Sequence, residues 1–155
     1  MTTRLAIPLA LLVAAACAPR RIPGTEIRDT AENRAVYAAV EAYVHAMNQR
    51  DPAAVLALVA PDYFDDAGTP EPADDLDRAQ LEKALTADLA RVETAKLAVS
   101  FRKIEVQGDA AFAEIFYDSY YRVQTPAGPV PRRDTDVNRV RLKRVEGKWK
   151  IVAGL

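Results

Sequence analysis

One carboxylate of the chain has neighbours that could make it an acid or base catalyst. Asp136 shares a predicted strand with Asn138 and with the apolar residue Val140. Alternate residues of a strand point to the same face, so we expect Asp136 to point inward with both of them. A carboxylate between apolar walls has a raised pKa, which suits proton transfer with a small apolar substrate. Asp136 is therefore the catalytic candidate; the alternative is a solvated carboxylate, or one paired with Arg132 or Arg133.

Hydroxyl groups on the preceding predicted strand would lie beside this carboxylate. The odd-numbered residues of 110–124 form a face without charge, which we predict to be the inward face. Tyrosine hydroxyls there could stabilise a developing oxyanion. The predicted ligand pocket comprises Tyr63, Tyr117, Ser119, Tyr121, Asp136, Asn138 and Trp149.

The opposite face of the same strand carries three aromatic residues. Phe112, Phe116 and Tyr120 recur every four residues, with charged residues between them. This much apolar surface is rarely left in water, so we expect the face to form a homodimer or another protein interface. The alternative is that the two faces are reversed and the aromatic residues line the interior.

The remaining candidate residues favour neither a metal nor a cofactor. One His and one Cys exclude a His-pair or Cys/His zinc site and a disulfide framework. His45 falls about 180° from Val36 at 100° per residue, so we expect it to face solvent. The seven acids from Asp62 to Asp77 lack the spacing of a calcium loop, and a solvated loop explains them. The eight bases between Arg132 and Lys150 form a stripe that cross-strand acids can balance.

The overall charge argues against nucleic acid as a partner. Lys and Arg together number 21 and Asp and Glu 22, which gives a net charge of -1. A chain without a basic surplus lacks the charge that holds phosphate backbones. We expect no binding of nucleic acid.

Residues 1–16 have the pattern of a secretory signal peptide. Arg4 precedes an apolar run from Leu5 to Ala16 that only Pro8 interrupts. In a helix these residues would reach about 18 Å, well short of the roughly 30 Å hydrocarbon core of a bilayer. The run is too short for a permanent span and typical of a signal peptide.

The small residues that lead into Cys17 are similar to the lipobox of bacterial lipoproteins, in which diacylglycerol is attached to the cysteine before cleavage. Cys17 is therefore the predicted lipidation site, and acyl chains there would anchor the protein in a membrane. An ordinary signal peptide cleaved after Ala16 is the alternative. Residues 17–29, rich in Pro and mixed charge, are predicted to be the lipidated Cys and a tether.

Residues 30–155 form the predicted domain, and its first part is helical. Apolar residues recur at helical spacing from Thr30 to Arg50. Asp51 followed by Pro52 is typical of a helix start and opens a second short helix. Apolar residues from Leu81 to Val92 indicate a third helix, with Asp74 or Asp75 as its cap.

After Ala95 the apolar period changes from 3.6 to 2, which indicates strands. A phase shift at Arg102 and Lys103 predicts a β-bulge. Turns at Gly108-Asp109 and Glu146-Gly147 and a proline-containing loop over 125–131 divide the segment. The predicted class is α+β, a curved antiparallel sheet of about four strands wrapped against three N-terminal helices.

This element order, together with the terminal Gly147-Lys148-Trp149-Lys150-Ile151, resembles the nuclear transport factor 2-like superfamily, in particular its polyketide cyclase-like and ketosteroid isomerase-like branch. The resemblance implies a cone-shaped domain in which the sheet surrounds a cavity. Hosts of this fold include isomerases, dehydratases and binding modules, so the fold alone does not select a function.

The sequence therefore predicts a lipoprotein of the bacterial cell envelope that binds a small apolar ligand or a protein partner without catalysis. Ala18, in place of Asp after the Cys, indicates the outer membrane, facing the periplasm, if the cell is Gram-negative. An isomerase- or dehydratase-like enzyme that uses an inward carboxylate is the alternative. A structural dimer with a filled cone is a third.

Overall fold

The computed structural model describes residues 19–69, 73 and 75–155, so the predicted signal peptide and Cys17 lie outside the described residues. The helices are α1 (Ala31–Gln49), α2 (Pro52–Leu58) and α3 (Arg78–Arg91). Two short paired strands separate α2 from α3, β1 (Phe64–Asp65) and β2 (Leu76–Asp77). The main sheet contains β3 (Val92–Gln107), β4 (Ala110–Val123), β5 (Val130–Val145) and β6 (Lys148–Ala153). The predicted α+β class with three helices and a four-stranded antiparallel sheet is confirmed.

Each helix begins at a residue whose side chain accepts a hydrogen bond from the first turn. Thr30 accepts from the Asn33 amide in α1, and Asp51 accepts from the Ala54 amide in α2. The cap of α3 is Asp77, which forms a capping box with Gln80 and so satisfies two backbone donors. The sequence-based assignment of this cap to Asp74 or Asp75 was therefore two or more residues early.

The sheet is open, with the strand order β3-β4-β5-β6 and all neighbours antiparallel. Its register shifts between Phe101 and Lys103, which confirms the predicted bulge and bends β3. β6 pairs only with the last part of β5, from Arg141 onward. The earlier part of β5 therefore leaves one edge without a strand partner among the described residues.

The core lies between α1 and the part of the sheet near the β3–β4 and β5–β6 turns. Val36 and Val40, one turn apart on α1, are fully buried, and so are Ala113 and Val140 on neighbouring strands. The buried residues Ala111, Ala113 and Ile115 have odd numbers, whereas Phe116 and Tyr120 are exposed. The odd face of β4 is therefore the inner face, as predicted, and the reversed alternative is excluded.

Residues 20–29, predicted to be part of a tether, are packed against this core. Arg21 and Arg28 form a β-bridge, and the turn between them carries Ile22 and Ile27, each only 5% exposed. The Ile22 amide donates to the Ile27 carbonyl at 2.9 Å. Two isoleucines five residues apart provide apolar area that favours docking over a free linker.

Candidate functional site

A mostly apolar cavity lies between α1, the end of α3 and the half of the sheet farther from the β3–β4 turn. Its volume is about 540 Å³, within the range of small-molecule sites. Its walls are mostly apolar, because odd residues of β3 and β4 and even residues of β5 point toward the helices. The apolar lining residues include Met47, Leu89, Val92, Leu97, Val99, Ile115, Val123, Val140 and Leu155.

A side chain of α1 fixes the wall that β3 contributes to the cavity. The Asn48 Nδ2 donates to the Leu97 carbonyl at 2.9 Å, and its Oδ1 accepts from the Leu97 amide at 2.6 Å. The amide group thus replaces a neighbouring strand at this point of the sheet edge. It holds the second half of α1, with Tyr43 and Met47, over the cavity.

Three inward-facing tyrosines contribute polar groups to the cavity, which Ser119, Asn138 and Tyr120 also line. Tyr43, Tyr117 and Tyr121 all line it. Burial, followed by the nearby Tyr117, raises the pKa of Tyr43 to about 12. Burial also raises the pKa of Tyr117 to about 12, with further contributions from a hydrogen bond and from the charge of Asp134. The phenols of Tyr43 and Tyr117 are therefore neutral hydrogen-bonding groups at neutral pH.

Asp134 is the carboxylate that contacts the cavity lining. The Tyr117 hydroxyl donates to its Oδ2 at 2.9 Å, and the Ser119 hydroxyl donates to its backbone carbonyl at 3.1 Å. Asp134 was not among the site residues predicted from the sequence, although it has the same even parity on β5 as Asp136 and Asn138. That parity was the available signal; the hydrogen bond that selects one carboxylate depends on the side-chain conformation.

The structure brings four of the predicted pocket residues together around the cavity: Tyr117, Ser119, Tyr121 and Asn138. Asn138 closes the inner end, where its Nδ2 donates to the Gly154 carbonyl at 3.0 Å. The Arg139 amide donates to its Oδ1 at 2.7 Å.

The other three predicted residues do not line the cavity. Asp136 is the cross-strand neighbour of Tyr117, but it is exposed, and its Oδ1 accepts from the Val137 amide at 2.7 Å. Tyr63 is 2% exposed in the core and donates to Asp65 at 3.2 Å. Trp149 is also in the core, with the Arg144 guanidinium 4.4 Å from the centre of its ring.

The two charged runs of the sequence pair partly with each other. Lys143 contacts Asp62, and Arg141 lies 3.4 Å from Asp66, so the acidic segment neutralises part of the basic stripe. The hydrogen bond that Lys143 donates lowers the pKa of Asp62. Across the sheet, Arg139 pairs with Glu114 at 3.4 Å, as the sequence analysis expected for neighbouring strands.

His45, which was expected to face solvent, is exposed on α1. Among residues 19–69, 73 and 75–155, no three His, Cys, Asp or Glu side chains are grouped so as to hold a metal ion. The helices of the same residues include none with the length and hydropathy to cross a bilayer.

Comparison with known proteins relates the chain to others by structure. No protein-family profile matches it, and no curated protein does. A candidate aromatic ring hydroxylase from Novosphingobium aromaticivorans superposes with a TM-score of 0.68 at 20% identity, covering 82% of this chain and 89% of that one. A ketosteroid isomerase-like protein from Erwinia carotovora atroseptica gives 0.66 at 19% identity, with 81% and 95% covered.

A candidate dehydratase of the nuclear transport factor 2-like family from Streptomyces avermitilis superposes with a TM-score of 0.62 at 17% identity, covering 79% of this chain and 92% of that one. Coverage of most of both chains means that the similarity extends over the whole domain. The chain therefore has the nuclear transport factor 2-like fold, as the order of its elements predicted.

Proposed function

We propose that the protein is a lipid-anchored envelope protein whose domain binds a small, mainly apolar molecule in the cavity. The observation that carries the binding proposal is the cavity itself, about 540 Å³ with mostly apolar walls and three tyrosines. Apolar walls supply affinity through burial, and a few hydroxyl groups orient the ligand.

The anchoring proposal rests on Cys17 and on the place where the described chain begins. Residues 20–29 pack beside Arg102 and Ile104, toward the β3–β4 turn. The cavity borders Val92 and Ala95 at the other end of β3. Five residues of strand separate Ile104 from Val99, the lining residue of β3 nearest to it, which corresponds to about 17 Å. A domain anchored at Cys17 would thus hold its cavity away from the bilayer surface, facing the periplasm in an outer membrane.

Binding is tested with the full-length chain carrying Cys17→Ser, which removes the lipid attachment site. The neutral dye Nile red reports an apolar site by its fluorescence. Ala95→Trp fills the cavity from β3, whereas Ala98→Trp places the same indole on the exposed face of the same strand. We expect Ala95→Trp to weaken dye binding by about tenfold or more and Ala98→Trp to leave it unchanged. Equal binding by both variants would contradict the proposal.

Anchoring is tested by mass spectrometry of the mature N-terminus of the full chain expressed in a bacterium. We expect a diacylglyceryl-modified cysteine in the membrane fraction, and release of the Cys17→Ser variant from that fraction. A soluble product with an unmodified thiol would contradict the anchoring proposal and would leave the binding proposal intact.

The hydrogen bond between Tyr117 and Asp134 favours one alternative function, an isomerase- or dehydratase-like enzyme. A carboxylate and a phenol side by side can exchange a proton with a carbonyl substrate and stabilise the oxyanion. The names of the structural neighbours are compatible with this chemistry. Under this alternative, Asp134→Asn and Asp136→Ala would lower turnover of any substrate identified. Unchanged turnover in both variants would exclude it.

A further inference from the structure

Two carboxylates at the edge of the cavity have no ionic partner among the described residues. Asp134 and Asp136 lie on the inner parity of β5, opposite Ser119 and Tyr117, and neither forms a salt bridge there. On the outer face of the same two strands, by contrast, Asp118 pairs with Arg133 at 2.8 Å. The sheet neutralises its outer carboxylates and leaves the two on the cavity side unneutralised.

Aromatic rings lie between these carboxylates and the apolar walls. Tyr117 and Tyr121 line the cavity on β4, and Tyr43 faces them from α1. The hydroxyl of Tyr43 has no hydrogen-bond partner among the described residues, so it remains available to a ligand. The faces of aromatic rings attract cations, most strongly where water is partly excluded. The negative charges of Asp134 and Asp136 both contribute to the raised pKa of Tyr117, as expected for a site of negative potential.

The basic residues near the cavity do not cancel the negative potential that Asp134 and Asp136 create on the inner face of the sheet. Lys96 borders the cavity, but it pairs with Tyr120 on the outer parity and acts on Asp118. Arg91 and Asp88, at the end of α3, also border the cavity and contribute one charge of each sign. Arg132 is the one base on the inner parity of β5 between residues 130 and 140. Two carboxylates against this single base leave an excess of negative charge.

We propose that the ligand of this cavity carries a cationic head group, a quaternary or protonated amine, on an apolar body. The apolar body would occupy the space between β3, β4 and α1, and the head would lie among the tyrosines within reach of Asp134 and Asp136. This inference rests on the proposed binding function and names its ligand class.

The test compares three ligands with unbranched chains of eight carbons, the carboxyl carbon of octanoate included, and different heads: octyltrimethylammonium, 1-octanol and octanoate. Each displaces Nile red from the full-length Cys17→Ser chain at pH 7 in dilute buffer. We expect the ammonium compound to bind about tenfold more tightly than the alcohol and octanoate to bind most weakly. This ranking needs no further variant of the protein.

Charge-neutral variants identify the groups responsible for the ranking. Asp134→Asn with Asp136→Asn retains oxygen acceptors for Tyr117 and for the Val137 amide while it removes both charges. We expect this double variant to lose the preference for the ammonium compound and to keep its affinity for 1-octanol. The matched control, Arg132→Gln, removes the opposing charge and should increase the preference.

The outcomes separate this inference from the proposed function. Binding of 1-octanol with no preference for the ammonium compound over octanoate would overturn the inference and leave the apolar binding site established. A preference that survives in the double variant would also overturn it. If none of the three compounds binds, both the inference and the binding function are wrong.

Discussion

The two halves of the inner sheet face follow the same alternation but differ in what they contact. Toward the β3–β4 and β5–β6 turns, Ala113 and Ile151 are fully buried in the core that contains Val36 and Val40 of α1. Toward the other end, Tyr117 and Tyr121 on the same face are only half-buried. We call these halves the packed end and the cavity end. Small side chains at the packed end let the helix approach, and long aromatic ones at the cavity end frame a space.

Side-chain parity therefore determines which face of the sheet a residue lies on, but it does not determine whether that residue belongs to the core or to the cavity. That choice depends on what covers the face. The first half of α1 covers the packed end with valines, whereas its second half presents Tyr43 and Met47 to open space. If this distinction is correct, mutations at the packed end change stability, and mutations at the cavity end change binding.

The largest effect is expected at the boundary between the two ends, at Gly154. Its φ is +93°, and a Cβ there would lie 2.3 Å from the Arg139 carbonyl oxygen. Because the clash is with backbone, Gly154→Ala should lower the free energy of unfolding by about 3 kcal/mol or more. Gly147, with φ +77° and no atom within 4 Å of a Cβ, is the control. Gly147→Ala should cost about 1 kcal/mol by urea denaturation, and equal losses would contradict the argument.

A direct comparison of the two ends uses one truncation in each. Leu142, which is 2% exposed at the packed end, should lose about 2 to 5 kcal/mol of unfolding free energy when changed to Ala. Tyr121→Ala at the cavity end should lose about 1 kcal/mol or less but weaken Nile red binding. Urea denaturation and dye titration on both variants measure the two effects. A larger stability loss for Tyr121→Ala would mean that the cavity end is core.

Much of this arrangement could be predicted from the sequence, because it depends on local patterns. The uncharged odd residues of β4 identified the inner face, and the phase shift after Phe101 identified the bulge. Asp51 and Pro52 identified the start of α2. Such signals are contained in a few consecutive residues, so no knowledge of the tertiary structure is needed.

The missed features depend on contacts between distant segments. Pro131 was assigned to a loop, but it belongs to β5, where the outer edge has no strand partner and a missing amide is tolerated. Asp136 was expected inside, yet its carboxylate accepts from the adjacent Val137 amide along this same edge. The open edge results from the short β6, a property of the pairing that alternation along β5 does not reveal.

An effect of intermediate size is expected at high pH from the tyrosines of the cavity end. The pKa of Tyr43 and of Tyr117 is raised to about 12 in the folded protein from an ordinary value of 10.0. Below pH 10 both folded and unfolded states keep these protons, so the stability is complete. Between pH 10 and 12 only the unfolded state releases them, so the free energy of unfolding falls as pH rises.

Tyr43→Phe removes one of these groups, so it should reduce the alkaline loss of stability. Urea denaturation at several pH values from 8 to about 11.5 measures the slope, and absorbance near 295 nm follows phenolate formation. Tyr120→Phe, at a site that borders the cavity but is 47% exposed, serves as the control. A slope that Tyr43→Phe leaves unchanged would mean that this phenol ionises equally well in both states.

The smallest effect on the folded monomer is expected on the outer face, where we propose that a second copy of the chain docks. Phe116 is 36% exposed and its cross-strand neighbour Val137 is 39% exposed, so the two form an apolar patch, and Tyr120 is 47% exposed farther along the same face. Arginines lie over two of the rings, Arg102 at 5.7 Å from the ring centre of Phe116 and Arg139 at 4.6 Å from that of Phe112. Phe116→Asp should convert a dimer to a monomer in light scattering without changing the Nile red affinity.

Ser100→Asp, on the neighbouring strand directly beside Phe116, adds the same charge and tests whether the aromatic ring itself is needed. A wild-type chain that remains monomeric at all concentrations would show that this apolar patch is simply solvated, and that outer and inner faces differ only in burial.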